Sequence, residues 1–177
     1  MSQILIQAIG FAGVIFFIFS YQIKSNRALF LMQLLGTGMF TIQFILLGAY
    51  TGAINLMIII LRNALLLKVR DWKWVKSKHT MFALIALSII GASFSWSGLI
   101  SLLPLTATAG TMIAYWTDNA QKIRLGNLVC GSPCWLTYDI LIGSLGGILN
   151  ESITLISVLI SIKRFGWKEM NSDDSGF

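Results

Sequence analysis

The stretch Leu46–Asn55, "LLGAYTGAIN", decides the fold. It breaks a long apolar run with two glycines and ends on an amide. At an offset of 95 residues, Leu141–Asn150 reads "LIGSLGGILN". In that register Gly36, Gly48, Gly52, Asn55 and Lys68 meet Gly131, Gly143, Gly147, Asn150 and Lys163. Thr37 meets Ser132, and Phe40 meets Trp135. Single matches arise by chance in an apolar chain. Here the gaps, the glycines and the amide coincide, as an internal repeat requires.

Composition sets the class. Of 177 residues, 56% are hydrophobic and 11% charged, with a mean hydropathy of +0.78. Soluble domains carry about 25% charged residues, so this chain has too little polar surface to cover a globule in water. The expected class is an all-α polytopic membrane protein whose first partner is the lipid bilayer.

Seven apolar segments approach the ~20 residues a spanning helix needs. They are approximately Gln3–Tyr21, Ala28–Gly48, Thr51–Leu67, Thr80–Trp96, Gly98–Trp116, Leu125–Gly143 and Leu145–Ile162. Glycine-bearing breaks separate the second from the third and the sixth from the seventh, as in helical hairpins. The N-terminus "MSQILIQAIG" lacks the basic start of a cleavable signal, so the first span is expected to be retained.

Charge tests the count. Seven spans put Lys24, Arg27, Lys68, Arg70, Lys73, Lys76, Lys78, Lys122, Arg124, Lys163, Arg164 and Lys168 on one side, twelve of the thirteen basic residues. The other side has no Lys or Arg. By the positive-inside rule the basic side is cytoplasmic, with the N-terminus outside and the C-terminus inside. Tyr50 and Trp96 then fall at the outer boundary, and Tyr21, Trp72, Trp74, Trp116 and Trp167 at the inner one, as in an aromatic belt. The +6 net charge is thereby explained without nucleic acid.

The repeat sets spans one to three opposite spans five to seven and leaves span four as a linker. The expected divisions are 1–69 for the first triplet, 70–97 for the basic loop and linker, 98–165 for the second triplet and 166–177 for the tail. One linking span lets both triplets run in the same direction. Such parallel repeats bind solute near mid-membrane at their interface.

Three ionisable residues lie within spans: Arg62, Asp139 and Glu151. A charge at the bilayer centre costs ~2.5–3.5 kcal/mol on insertion scales, so it faces a cavity or a partner. Asp139 precedes the outer end of span six, and Glu151 lies about six residues into span seven from the same side. With Asn55 and Asn150 they share one depth. Arg62 lies two turns below Asn55, where it either pairs with a carboxylate or snorkels to the interface. Interhelical hydrogen bonding is the plain role for the asparagines. Their matched placement favours a pocket, where amides offer both donors and acceptors to a polar solute. Trp135 and Tyr138 stand away from the belts. Pro104 and Pro133 are expected bend sites, with Ile9 and Gly38 in the matching places of the first half.

Catalytic and metal sites find little support. Cys130 and Cys134 have no further Cys or nearby His to complete a metal site. The single histidine is His79, in the basic loop, so no enzyme and no cofactor is expected.

The three-plus-one-plus-three pattern resembles the SWEET and PQ-loop superfamily. More narrowly, "LLGAYTGAIN", "ILRNALLLK" and "LIGSLGGILNES" resemble the YgjV-type bacterial inner-membrane proteins over nearly the whole chain. The resemblance implies a multi-pass protein of the bacterial inner membrane. It implies that Asn55 and Asn150 face a solute pocket. Phe44 and Asp139 take the place of the pocket-lining aromatic, with Trp135 one turn below Asp139. The Pro-Gln pair of that superfamily is replaced here by Tyr21-Gln22 and Trp116-Thr117.

The expected function is a carrier or facilitator for a small polar solute. Asp139 and Glu151 hint at a cationic solute or at proton coupling, with Arg62 as a candidate ion-pair partner. A non-transporting scaffold or partner subunit of the same fold is the competing reading. The sequence leaves a homo-oligomer open.

Overall fold

The two glycine breaks close hairpins by the same bonds. In the computed structural model, which describes residues 2–22, 26–68, 71–117 and 120–169, Gly48 and Gly143 adopt φ values of 74° and 72°. Lys24, Arg70 and the tail from 170 onward lie outside the described residues. The Ala49 N–H donates to the Phe44 carbonyl at 2.8 Å, and the Ser144 N–H to the Asp139 carbonyl at 2.9 Å. Gly48 bonds Ile45 and Gly143 bonds Ile140, at 3.1 and 3.3 Å. A left-handed residue with these back-bonds is the glycine stop of a helix. The 95-residue register thus holds bond for bond at the turns.

Eight α-helices result among the described residues. They are α1 Gln3–Gln22, α2 Asn26–Leu46, α3 Tyr50–Leu67, α4 Lys78–Phe94, α5 Leu102–Trp116, α6 Ala120–Gly126, α7 Ser132–Ile142 and α8 Leu145–Glu169. A π-helical segment, Asn127–Gly131, joins α6 to α7, so these form one interrupted rod and the rods number seven. Pro133 accounts for the interruption. It has no N–H for the Val129 carbonyl and its ring crowds that group, so the ladder slips by one residue. Pro104 stands third in α5, behind the short 3-10 turn Leu99–Ser101. In a first turn a missing N–H costs nothing, so Pro104 begins its helix and does not bend it. Gly38 lies inside an unbroken α2, with nothing within 4 Å of a Cβ added there.

The rods pack as a ring. α1 lies against α2 and α8, α2 against α3, α3 against α5, and the broken rod α6–α7 against α5 and α8. α4 stands beside α3 and α5. Small residues set the closest approaches: a Cβ on Gly146 would strike the backbone of Gly10, and a Cβ on Gly13 or Gly36 would lie 3.2 or 3.1 Å from the other's carbonyl oxygen.

Polarity is inverted relative to a water-soluble domain. Ile4, Phe94, Leu99 and Val129 are more than half exposed, whereas Gln43, Asn55, Arg62, Thr108 and Asp139 are buried. Among the described residues, Tyr50–Leu67 and Leu99–Trp116 are long and apolar enough to cross a membrane. Gln3–Phe19, Leu31–Leu46, Lys78–Phe94 and Leu145–Ile160 are apolar but shorter.

Candidate functional site

A cavity of about 170 Å³ lies inside the ring, room for on the order of ten waters. Every rod lines it except α4. Near the hairpin turns it meets Phe44, Asp139 and Gly147, and toward the basic ends of the rods it reaches Gln33, Tyr115 and Asn127.

The acids sit toward the turns. Asp139, 2% exposed, lies on the last turn of α7, and its Oδ1 has no hydrogen-bond partner. Glu151 lies in the second turn of α8. It accepts from Asn150 Nδ2 at 3.1 Å, and Ser132 lines the same space. The two carboxyl groups crowd one end of the same space. Gly147 makes this crowding feasible, because a Cβ there would fall on the Asp139 carboxylate.

The base sits deeper. Arg62 is 4% exposed and donates from Nε to Asn63 Oδ1 at 3.0 Å. Its guanidinium carbon lies 4.1 Å from the centroid of the Tyr115 ring, a cation–π arrangement. Nη1 stands 3.5 Å from the Thr111 hydroxyl. The ion pair found among the described residues is Lys68 with Asp71, at the surface. Of the two readings open for Arg62, neither a carboxylate partner nor a snorkelling side chain is what the structure places there. The guanidinium stays inside, on an aromatic face.

An aromatic layer covers the turn end. Phe44 lies 6.1 Å from Trp135 and 5.8 Å from Tyr138, centroid to centroid. Two clasps lie beside it. The Gly52 N–H, at the start of α3, donates to the Tyr138 hydroxyl of α7 at 3.1 Å. The Gly147 N–H, at the start of α8, donates to Ser144 Oγ, which donates to Gln43 Oε1 of α2 at 3.0 Å. Gln43 and Tyr138 are one repeat apart, as are Gly52 and Gly147. Gln7 of α1 joins the second clasp, donating to the Gly143 carbonyl at 2.8 Å and accepting from Gln43 Nε2 at 3.1 Å.

Phe44, Trp135, Asp139, Asn150, Glu151 and Arg62 therefore meet around one space. Asn55 is not among its lining residues. It is fully buried, and its Nδ2 donates to the Thr51 carbonyl of its own helix at 2.9 Å. Its helix differs from α8 in having α4 as an additional neighbour. Sequence reasoning missed Asn63, Tyr115 and Asn127. They have no partner in the repeat that marks them, and their signal is only that of polar groups inside apolar runs.

A family model, Imp-YgjV, described as bacterial inner membrane protein, matches residues 4–169. No curated protein and no solved structure matches the chain.

Proposed function

We propose, from the premise that this chain belongs to the Imp-YgjV family of bacterial inner membrane proteins, that it is a multi-pass carrier for a small polar solute. The observation that carries this reading is the cavity: a space holding Asp139, Glu151 and Arg62 inside a ring of rods whose outer faces are apolar. Ionised groups at membrane depth are costly, and a solute path is a common reason for placing them there. In this reading the halves α1–α3 and α5–α8 are parallel repeats, with α4 as linker, in the SWEET-like 3+1+3 manner. The contacts favour it, because the α1–α8 pair of one interface corresponds, under the 95-residue offset, to the α5–α3 pair of the other. The turns face outside, the basic ends face the cytoplasm, and both the N-terminus outside and the C-terminus inside follow from the charge bias.

Water access tests the carrier reading. In a background with Cys130→Ser and Cys134→Ser, Asn150→Cys is expected to react with a small water-borne thiol reagent. Asn55→Cys is expected to react at least tenfold more slowly. An unreactive position 150 in folded protein favours the scaffold alternative, since a dry interior has no path for solute.

A further inference from the structure

The cavity separates its charges along its length. Under the repeat, Glu151 corresponds to Leu56 and Asp139 to Phe44. Arg62 lies six residues beyond Leu56 on the same helix, ~9 Å farther toward the basic end at helical rise. The acids occupy the turn end and come from the second half of the chain. The guanidinium occupies the basic end and comes from the first half.

Among the described residues neither end has a partner of opposite charge. Asp139 Oδ1 is buried, unpartnered and at the cavity wall. Glu151 lines the same space, and the Asn150 amide that bonds it is neutral. Two carboxylates at this depth are unfavourable unless one takes up a proton or a cationic group comes between them. Arg62 does not fill that role, because Asn63 and the Tyr115 ring hold it at the other end. A planar guanidinium fixed through Nε, in a space that Asn127 also lines, is a ready site for a carboxylate.

We propose that the cavity takes a small zwitterion, its ammonium group held by Asp139 and Glu151 and its carboxylate by Arg62. This rests on the carrier reading and narrows it to a substrate class. A neutral polyol would leave all three charges unanswered, and a simple cation or anion would answer one end. A molecule whose ammonium and carboxylate are a few bonds apart spans both ends of a space of about 170 Å³.

Thermal unfolding of the purified wild-type protein in detergent tests this directly. The probes are the protein amino acids, 4-aminobutyrate, L-alaninamide, L-lactate and glycerol. A ligand of the folded state raises the melting temperature. At least one zwitterion is expected to do so at a tenfold or lower concentration than alaninamide, lactate and glycerol require. Arg62→Gln is expected to remove the preference for that zwitterion over its amide. Asp139→Asn is expected to raise the concentration of zwitterion required by at least tenfold. The wild-type comparison decides the matter even where a variant fails to fold. The proposal is overturned if no zwitterion stabilises, or if a singly charged or neutral probe does so equally well. If it is overturned while Asn150→Cys still reacts with the thiol reagent, the carrier reading stands with another solute. If position 150 is also unreactive, both fall.

Discussion

The two halves of the ring share their joints and differ in their chemistry. Gly48 and Gly143 close the hairpins with the same dihedral and the same back-bonds. Around those joints the side chains part company. Phe44 faces the cavity where the second half presents Asp139, Leu56 where it presents Glu151, and Arg62 where it has Ser157. α2 is unbroken, whereas the rod α6–α7 carries a π segment. A repeated backbone thus fixes where helices turn, and unequal side chains make the enclosed space polar in one sense from end to end.

The largest test of this comparison is Gly146→Thr. It gives α8 the residue that α3 carries at the equivalent place, Thr51, whose hydroxyl bonds Ser95 and Ser101. At 146 the added atoms meet the Gly10 backbone, so a loss of about 3 kcal/mol is expected, read from reversible unfolding in mixed micelles. A loss below about 0.5 kcal/mol would mean that α1 and α8 can separate freely. Next come the clasps. Tyr138→Phe leaves the Gly52 N–H buried without its acceptor, and Ser144→Ala does the same to Gly147. Each is expected to cost about 2 kcal/mol, and unequal losses would show that one clasp dominates. Gly48→Ala and Gly143→Ala add a Cβ in open space but at positive φ. Each is expected to lose ~1–2 kcal/mol, alike to within about 0.5 kcal/mol if the turns are equivalent. The smallest effect has the opposite sign. Gly38→Ala, in an unbroken helix with room for the methyl group, is expected to gain ~0.5–1 kcal/mol.

Much of the architecture is legible in the sequence because it rests on local rules. Glycine at a helix end, apolar runs between breaks and basic residues at alternate gaps locate the first five rods closely, whereas the sixth starts at Ala120 rather than Leu125 and the last runs to Glu169 rather than Ile162. The π segment is less legible. Pro133 announces a fault in the ladder, but how the ladder absorbs it depends on neighbours such as Thr111, which leaves no room for a Cβ on Gly131. The site divides in the same way. The ionisable residues inside apolar runs stand out, since such a placement demands a cavity or a partner. Asn55 and Asn150 look equivalent in sequence and are not equivalent in place, because the helices around α3 and α8 differ. Tyr115 sits beside Trp116 at a helix end, where an aromatic needs no special reason, so nothing in the sequence singles it out as the platform for Arg62.

Each clasp reaches across the molecule: Tyr138 serves the first turn of α3, and Gln43, through Ser144, serves that of α8. The first triplet lacks the acceptor for its own third helix, and the second carries its acceptor, Ser144, but relies on Gln43 of the first to hold it. Expressed as separate fragments, the first would show a frayed, fast-exchanging amide at Gly52 and the second a smaller loss of protection at Gly147, whose Ser144 acceptor lacks Gln43, and mixing the two would slow both. The halves are therefore mutual chaperones for their helix starts, and a gene split within the linker should yield two pieces that are stable only together.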